Sequence, residues 1–118
     1  MEKEQRVLQV LALAKKAGKA ASGGYQVEQA VKGGKALMVF LAADASDNTK
    51  KQVRNMCTYY RVPLICLADK EKLGHSVGCE SRSSAAILDQ SFIKAVNKAL
   101  GREIGVGSEG VNGKNENI

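Results

Sequence analysis

The run Ala36-Leu37-Met38-Val39-Phe40-Leu41-Ala42 constrains this chain more than any other stretch. It is apolar at every position, so it lacks the alternation of a strand with one wet face, and it is too short to span a bilayer. A run of this kind is a central strand covered on both faces. The segments on either side of it must therefore fold into covering layers.

Those segments have helical spacing. From about Glu4 to Lys16, Val7, Leu8, Val10, Leu11 and Ala14 recur on one face, and Gly18 stops the helix. A small strand fits Lys19 to Ser22. A second helix, Gly24 to Lys32, buries Val27, Ala30 and Val31 and pairs Glu28 with Lys32 on the outside. After the central strand, Ser46 or Asp47 caps a helix with Val53, Met56, Cys57 and Tyr60 inward and Lys50, Lys51 and Arg54 in water. Pro63 opens a strand, Leu64-Ile65-Cys66-Leu67, and Asp69 caps a short helix through Leu73. Gly74-His75-Ser76-Val77-Gly78 leads into a loop, Cys79 to Ser83, then come the last strand, Ala85-Ala86-Ile87-Leu88, and a helix from Ser91 to Leu100. Beyond Arg102 the pattern ends, and residues 103–118, rich in Gly, Asn, Ser and Glu, are expected to be a disordered tail. Helices alternating with buried strands make an α/β layer stack, one domain over residues 1–102, on a small parallel or mixed sheet.

Charge is unevenly placed. Residues 1–62 carry 11 Lys/Arg against 5 Asp/Glu, while residues 63–118 carry 7 of each, so the whole net charge of +6 lies in the first half. Such an excess suits phosphate neutralisation, and it also serves solubility. Lys15, Lys16 and Lys19 cluster at the end of the first helix. They complement its negative dipole end or form a patch facing RNA.

Gly23-Gly24 opens the second helix. A helix start that follows two glycines leaves N–H groups free and presents positive dipole charge, which suits an anion such as a phosphate. Tyr25, Gln26 and Gln29 then face whatever docks. Two glycines before a helix are also a common tight connection.

The chemistry of an enzyme is missing. There is no G-x-G-x-x-G after a strand, no phosphate-binding G-x-x-x-x-G-K-[ST], and no G-x-S-x-G or H-E-x-x-H. Three cysteines, Cys57, Cys66 and Cys79, share no C-x-x-C spacing, and the sole histidine, His75, is expected at the surface. Neither a disulfide framework nor a metal site is supported, and no cofactor is expected. Without a signal-like N-terminus or a membrane span, the expected location is the cytoplasm. Aromatic residues make up only 4% of the chain, too few for a stacking platform of the RRM or OB type. An RNA reader of this composition would recognise a folded, paired element by shape, phosphates and polar contacts to base edges.

Four blocks carry a family resemblance: LALAKKAGKAASGG (residues 11–24), KALMVFLAADAS (35–46), KKQVRNMCTYYRVPL (50–64) and LGHSVGCESRSSAAIL (73–88). In that order they resemble the L-seven-Ae/L-thirty-e superfamily of ribosomal and kink-turn RNA-binding proteins, and within it the small bacterial YlxQ-like branch. The resemblance spans roughly residues 5–100. It implies a three-layer α-β-α sandwich with no catalytic activity that binds kink-turn RNA. The family motif G-x-N-E-x-x-K, whose side chains read the guanines of sheared G·A pairs, falls on Gly23, Tyr25, Gln26 and Gln29. The glycine is kept. Tyr25 replaces Asn, Gln26 replaces Glu and Gln29 replaces Lys, so amides that donate and accept stand where a carboxylate would take guanine N–H groups. The family's second contact, a loop packing on a flipped-out nucleotide, falls on Cys79, Glu80, Ser81 and Arg82.

These readings lead to one expectation and one competitor. The expectation is a ribosomal or ribosome-associated protein that holds structured RNA with Gly23, Gly24, Tyr25, Gln26 and Gln29, the 79–82 loop and the three lysines. The competitor is a protein-interaction adaptor in the translation or transcription machinery that binds RNA weakly.

Overall fold

In the computed structural model, which describes residues 2–101 and 115–117, five helices and five strands alternate along the chain. Helix α1 (Glu2–Lys16) leads into β1 (Ala20–Ser22), α2 (Gly24–Lys32), β2 (Met38–Leu41) and α3 (Asp47–Tyr60). Then come β3 (Leu64–Cys66), α4 (Lys70–Ser76), β4 (Ser84–Ile87), α5 (Gln90–Leu100) and β5 (Asn115–Asn117).

The strands form one mixed sheet in the order β1-β4-β2-β3-β5. Strand β4 runs antiparallel to both neighbours, with Ala20 opposite Ile87 and Phe40 opposite Ala85, while β2, β3 and β5 are mutually parallel. The central position of β2 follows from its composition. Met38 and Phe40 enter a core with Val7 and Leu11 of α1, Leu73 of α4 and Val96 of α5. Val39 and Leu41, pointing the other way, enter a second core with Val27 and Val31 of α2 and Val53 and Cys57 of α3. Two cores separated by one sheet make the three-layer α-β-α sandwich. All four residues of β2 are buried, so a polar substitution at any of them would leave a group in a dry layer without a partner.

Three local features depart from the sequence reading. Helix α4 does not stop before Gly74 but continues to Ser76. A Cβ at Gly74 would overlap the backbone of Ser81, so this glycine permits a close approach within a helix instead of breaking it. Tyr60, expected inward, is 40% exposed, and Val62 takes the core position. Arg61 causes this: its left-handed backbone (φ 59°) ends α3 and turns Val62 back, with the Val62 N–H donating to the Cys57 carbonyl at 2.9 Å. Finally, the expected tail falls outside the described residues except for Asn115–Asn117, which form β5 in register with Leu64–Cys66 instead of disorder. Backbone pairing with an otherwise open edge needs no apolar side chain, which is why composition does not reveal it.

Strands β1, β2 and β3 point the same way, so α2, α3 and α4, which follow them, all begin at one rim of the sheet. That shared rim positions the candidate site.

Candidate nucleic-acid interface

The start of α2 differs from its neighbours. Gly23 is the N-cap, with φ 88° and ψ 154°, a conformation nearly closed to residues with a Cβ. Its N–H donates to the Ser84 carbonyl at 3.0 Å, which ties the helix start to β4, and its carbonyl accepts the first helical bond from Val27. No side chain caps this end, and the first turn holds no acidic residue. The first-turn N–H groups and the positive dipole end are therefore available to an outside acceptor.

The starts of α3, α4 and α5 are closed. Ser46 Oγ accepts from the Thr49 N–H at 3.1 Å. Asp69 accepts from the Lys72 N–H at 2.8 Å, and Asp44 reaches across from the β2 side to accept from the Lys70 N–H at 2.8 Å. Asp89 takes both the Ser91 N–H and its hydroxyl. These two bonds, the hydroxyl's first, hold the Asp89 carboxyl below its ordinary range.

Arg82 lies over the open end. Its side chain passes Gly23 so closely that a Cβ there would sit 3.5 Å from Nε and 3.7 Å from Cδ. The Arg82 backbone N–H donates to the Lys70 carbonyl, and Nη1 donates to the Ser81 carbonyl at 3.0 Å. Nε is buried, with no acceptor among the described residues. A fixed guanidinium beside an uncapped helix start concentrates donors and positive charge on one spot, as an anion site requires.

Around this spot, Tyr25 is 74% exposed, and Gln26 and Gln29 are exposed on the same helix. Gln26 Oε1 turns back toward the Ser22 N–H at 3.4 Å, so its amide NH2 group points outward as a donor. In the loop, the Cys79 N–H donates to the Gly74 carbonyl and its side chain packs partly against the core, while Glu80 and Ser81 are exposed. The start of α2 thus meets the 79–82 loop through Arg82 against Gly23.

Lys19 stands apart from this contact, and Lys15 and Lys16 precede Lys19 at the end of α1. The Leu88 N–H donates to the Lys19 carbonyl and the Gly23 N–H to the Ser84 carbonyl, so Lys19 and Gly23 lie at opposite ends of the β1–β4 ladder. Four extended residues separate them by roughly 13 Å. Lys19 neighbours Asp89 at that far end, and its charge also favours the Asp89 carboxylate.

The remaining candidates are quiet. His75 is exposed. Burial pushes the Cys57 thiol up to about 12, so it is a core residue and not a nucleophile. Among the described residues no group of His, Cys, Asp and Glu could hold a metal ion, and no helix is long and apolar enough to cross a membrane. The sequence reading missed a groove between α2 and α3 and the contribution of Asp44. The groove has a sequence signal in Tyr59-Tyr60, half of which was assigned to the core.

Comparisons with known proteins identify relatives of the chain. The chain is 40% identical over 83 residues to the RNA-binding protein YlxQ of Bacillus subtilis, covering 70% of this chain and 83% of that protein. It is 32% identical over 96 residues to RNA-binding protein YlxQ of Enterococcus faecium, covering 81% and 92%. A protein of unknown function from Bacillus halodurans superposes with a TM-score of 0.75 at 28% identity, covering 82% of this chain and 98% of that one. The 15.5kD RNA binding protein of Giardia lamblia shares the fold with a TM-score of 0.73 at 22% identity, covering 86% and 87%. Residues 5–106 match the profile of one family across nearly all of the sandwich. The chain belongs to the ribosomal protein L7Ae/L30e/S12e/Gadd45 family.

Proposed function

We propose that this protein is a non-catalytic RNA-binding protein, ribosomal or ribosome-associated, that holds a kink-turn on the open start of α2 and the adjoining 79–82 loop. The carrying observation is the Arg82 side chain lying against Gly23, which joins two segments some sixty residues apart into one donor-rich surface. In this reading the α2 N–H groups and Arg82 take phosphate oxygens, which positions the RNA. The Gln26 NH2 group and the Gln29 amide reach base edges, where an amide donates to guanine O6 or N7. Sequence similarity to two proteins named for RNA binding supports the same partner.

Titrating the protein with a kink-turn RNA and with a straight duplex of equal length tests the proposal. The kink-turn is expected to bind on the order of tenfold tighter, because base-edge contacts add to the phosphate contacts both RNAs share. Affinity falls with salt at a log–log slope of about −0.7 to −0.9 for each phosphate neutralised. Equal affinity for both RNAs would overturn kink-turn recognition. A protein partner that survives nuclease treatment in a pull-down would favour the adaptor.

A further inference from the structure

Between α2 and α3 runs an open groove of about 820 Å3, within the ~300–1,000 Å3 range of ligand-sized sites. It begins at the candidate RNA surface: Gly24 and Ser84 form its mouth, the backbone that sets the open start of α2. Val27 and Val53 line its floor, and Gln52 and Asn55 of α3 supply amides that both donate and accept. Tyr59 and Tyr60 close the far end.

The two rings are placed for stacking. Tyr59 is 78% exposed, and Tyr60 meets it edge to face with centroids 4.8 Å apart at 76°. The second ring fixes the orientation of the first and leaves Tyr59 largely bare to solvent. A bare, oriented ring is poor use of an apolar side chain in folding and good use in holding a nucleobase. All three tyrosines of the chain are exposed, one on the first turn of α2 and two in this groove. Few aromatics rule out a broad platform but not a single stacking position.

The charge of the groove does not repel a nucleotide. Glu28 is the carboxylate lining the groove, and Lys32 neutralises it at 2.7 Å. The Glu28 partnership raises the Lys32 pKa, so the ammonium stays charged beside Tyr60. Phosphates entering from the mouth meet no net negative wall.

We propose that the groove takes an unpaired nucleotide flanking the RNA stem held at the α2 start, with its base stacked on Tyr59 and its edge met by Gln52 and Asn55. This rests on the RNA reading above, because the groove opens from that surface. The partner is thus a stem with a single-stranded flank.

The test uses the full chain and three versions of one kink-turn stem: blunt, with a short unpaired 5′ extension, and with a 3′ extension. One extension is expected to tighten binding to the unaltered protein about tenfold, the scale of one base–aromatic stack. Tyr59→Ala loses that gain and Tyr59→Phe keeps it, while all three proteins bind the blunt stem alike. A residue this exposed can be changed without unfolding the chain, and a thermal melt checks this. If the blunt stem binds but neither extension adds affinity, or if Tyr59→Ala keeps the gain, the groove does not hold a nucleotide. Loss of a protein partner from Tyr59→Ala, with binding to both extensions unchanged, assigns the groove to that protein and likewise overturns the inference. If the blunt stem is not preferred over a straight duplex, the underlying RNA reading fails first and this one with it.

Discussion

Helices α2 and α4 begin at the same rim, on opposite faces of the sheet, yet their starts are built oppositely. Helix α4 receives two carboxylates, Asp44 on the Lys70 N–H and Asp69 on the Lys72 N–H. Helix α2 receives none, and a glycine stands where a capping side chain belongs. A side-chain cap contributes a few tenths of a kcal/mol over glycine, so omitting it at α2 forgoes a little stability that α4 collects. The difference separates two duties. The closed start of α4 holds the 79–82 loop in place through its own rigidity, and the open start of α2 is left to be completed by an outside acceptor.

The heaviest blow to this contrast falls on Gly74, the residue through which α4 supports the loop. Gly74→Ala drives a methyl group into the Ser81 backbone and is expected to cost roughly 3 kcal/mol in urea unfolding, the upper end for overpacking. Kink-turn binding should fall with it, because the loop moves off Gly23. Arg82→Ala separates the two effects. Its Nε is a buried donor without an acceptor among the described residues, so folding stays within about 0.5 kcal/mol while kink-turn affinity drops by roughly 2 kcal/mol in the same titration.

Smaller changes exchange the character of the two helix starts. Gly24→Asp puts a carboxylate on the first turn of α2, where a Cβ meets nothing within 4 Å. Stability is expected to rise by about 0.5–1 kcal/mol from dipole and backbone effects, and RNA affinity to fall by a similar amount through repulsion of phosphate. Asp69→Ala loosens the start of α4, losing about 1 kcal/mol of stability, and should weaken RNA binding with it because the 79–82 loop is held less firmly. If Gly24→Asp moved stability and affinity in the same direction, the division of duties would be wrong.

The smallest effect belongs to the closed start of α5. Asp89 has a depressed pKa, owing first to the Ser91 hydroxyl and then to the Ser91 N–H. A carboxyl with a lowered folded pKa contributes stability above its unfolded value, near 3.8, and loses it as pH falls through the folded value. Asp89→Asn still caps but does not titrate. Its urea midpoint should lie slightly below the unaltered protein's at neutral pH and converge with it below pH 3.8.

Much of this was legible in the chain. Paired glycines bracket α2 so sharply that its bounds, Gly24 to Lys32, could be read directly, and the unbroken apolar run of β2 required cover on both sides. Ser46 and Asp69 announce their helices because a short polar side chain before an amphipathic run has one common use. The failures share a cause: they depend on contacts distant in the chain. Gly74 resembles a breaker until Ser81 is seen against it, and Tyr60 resembles a core residue until Arg61 turns Val62 into its place. Lys19 stands four residues from Gly23, but an extended strand turns that short separation into the whole length of the β1–β4 ladder. For the site itself, the family resemblance placed Gly23 and Arg82 in the same pattern. Only the packing of β1 on β4 brings them into contact.

Because three successive strands run in parallel directions, every connector that follows one of them surfaces on the same side of the molecule. Those connectors are short and carry few of the residues that fill the two cores. What the protein grips can therefore be rewritten a few letters at a time, while the stacked layers behind it stay unchanged.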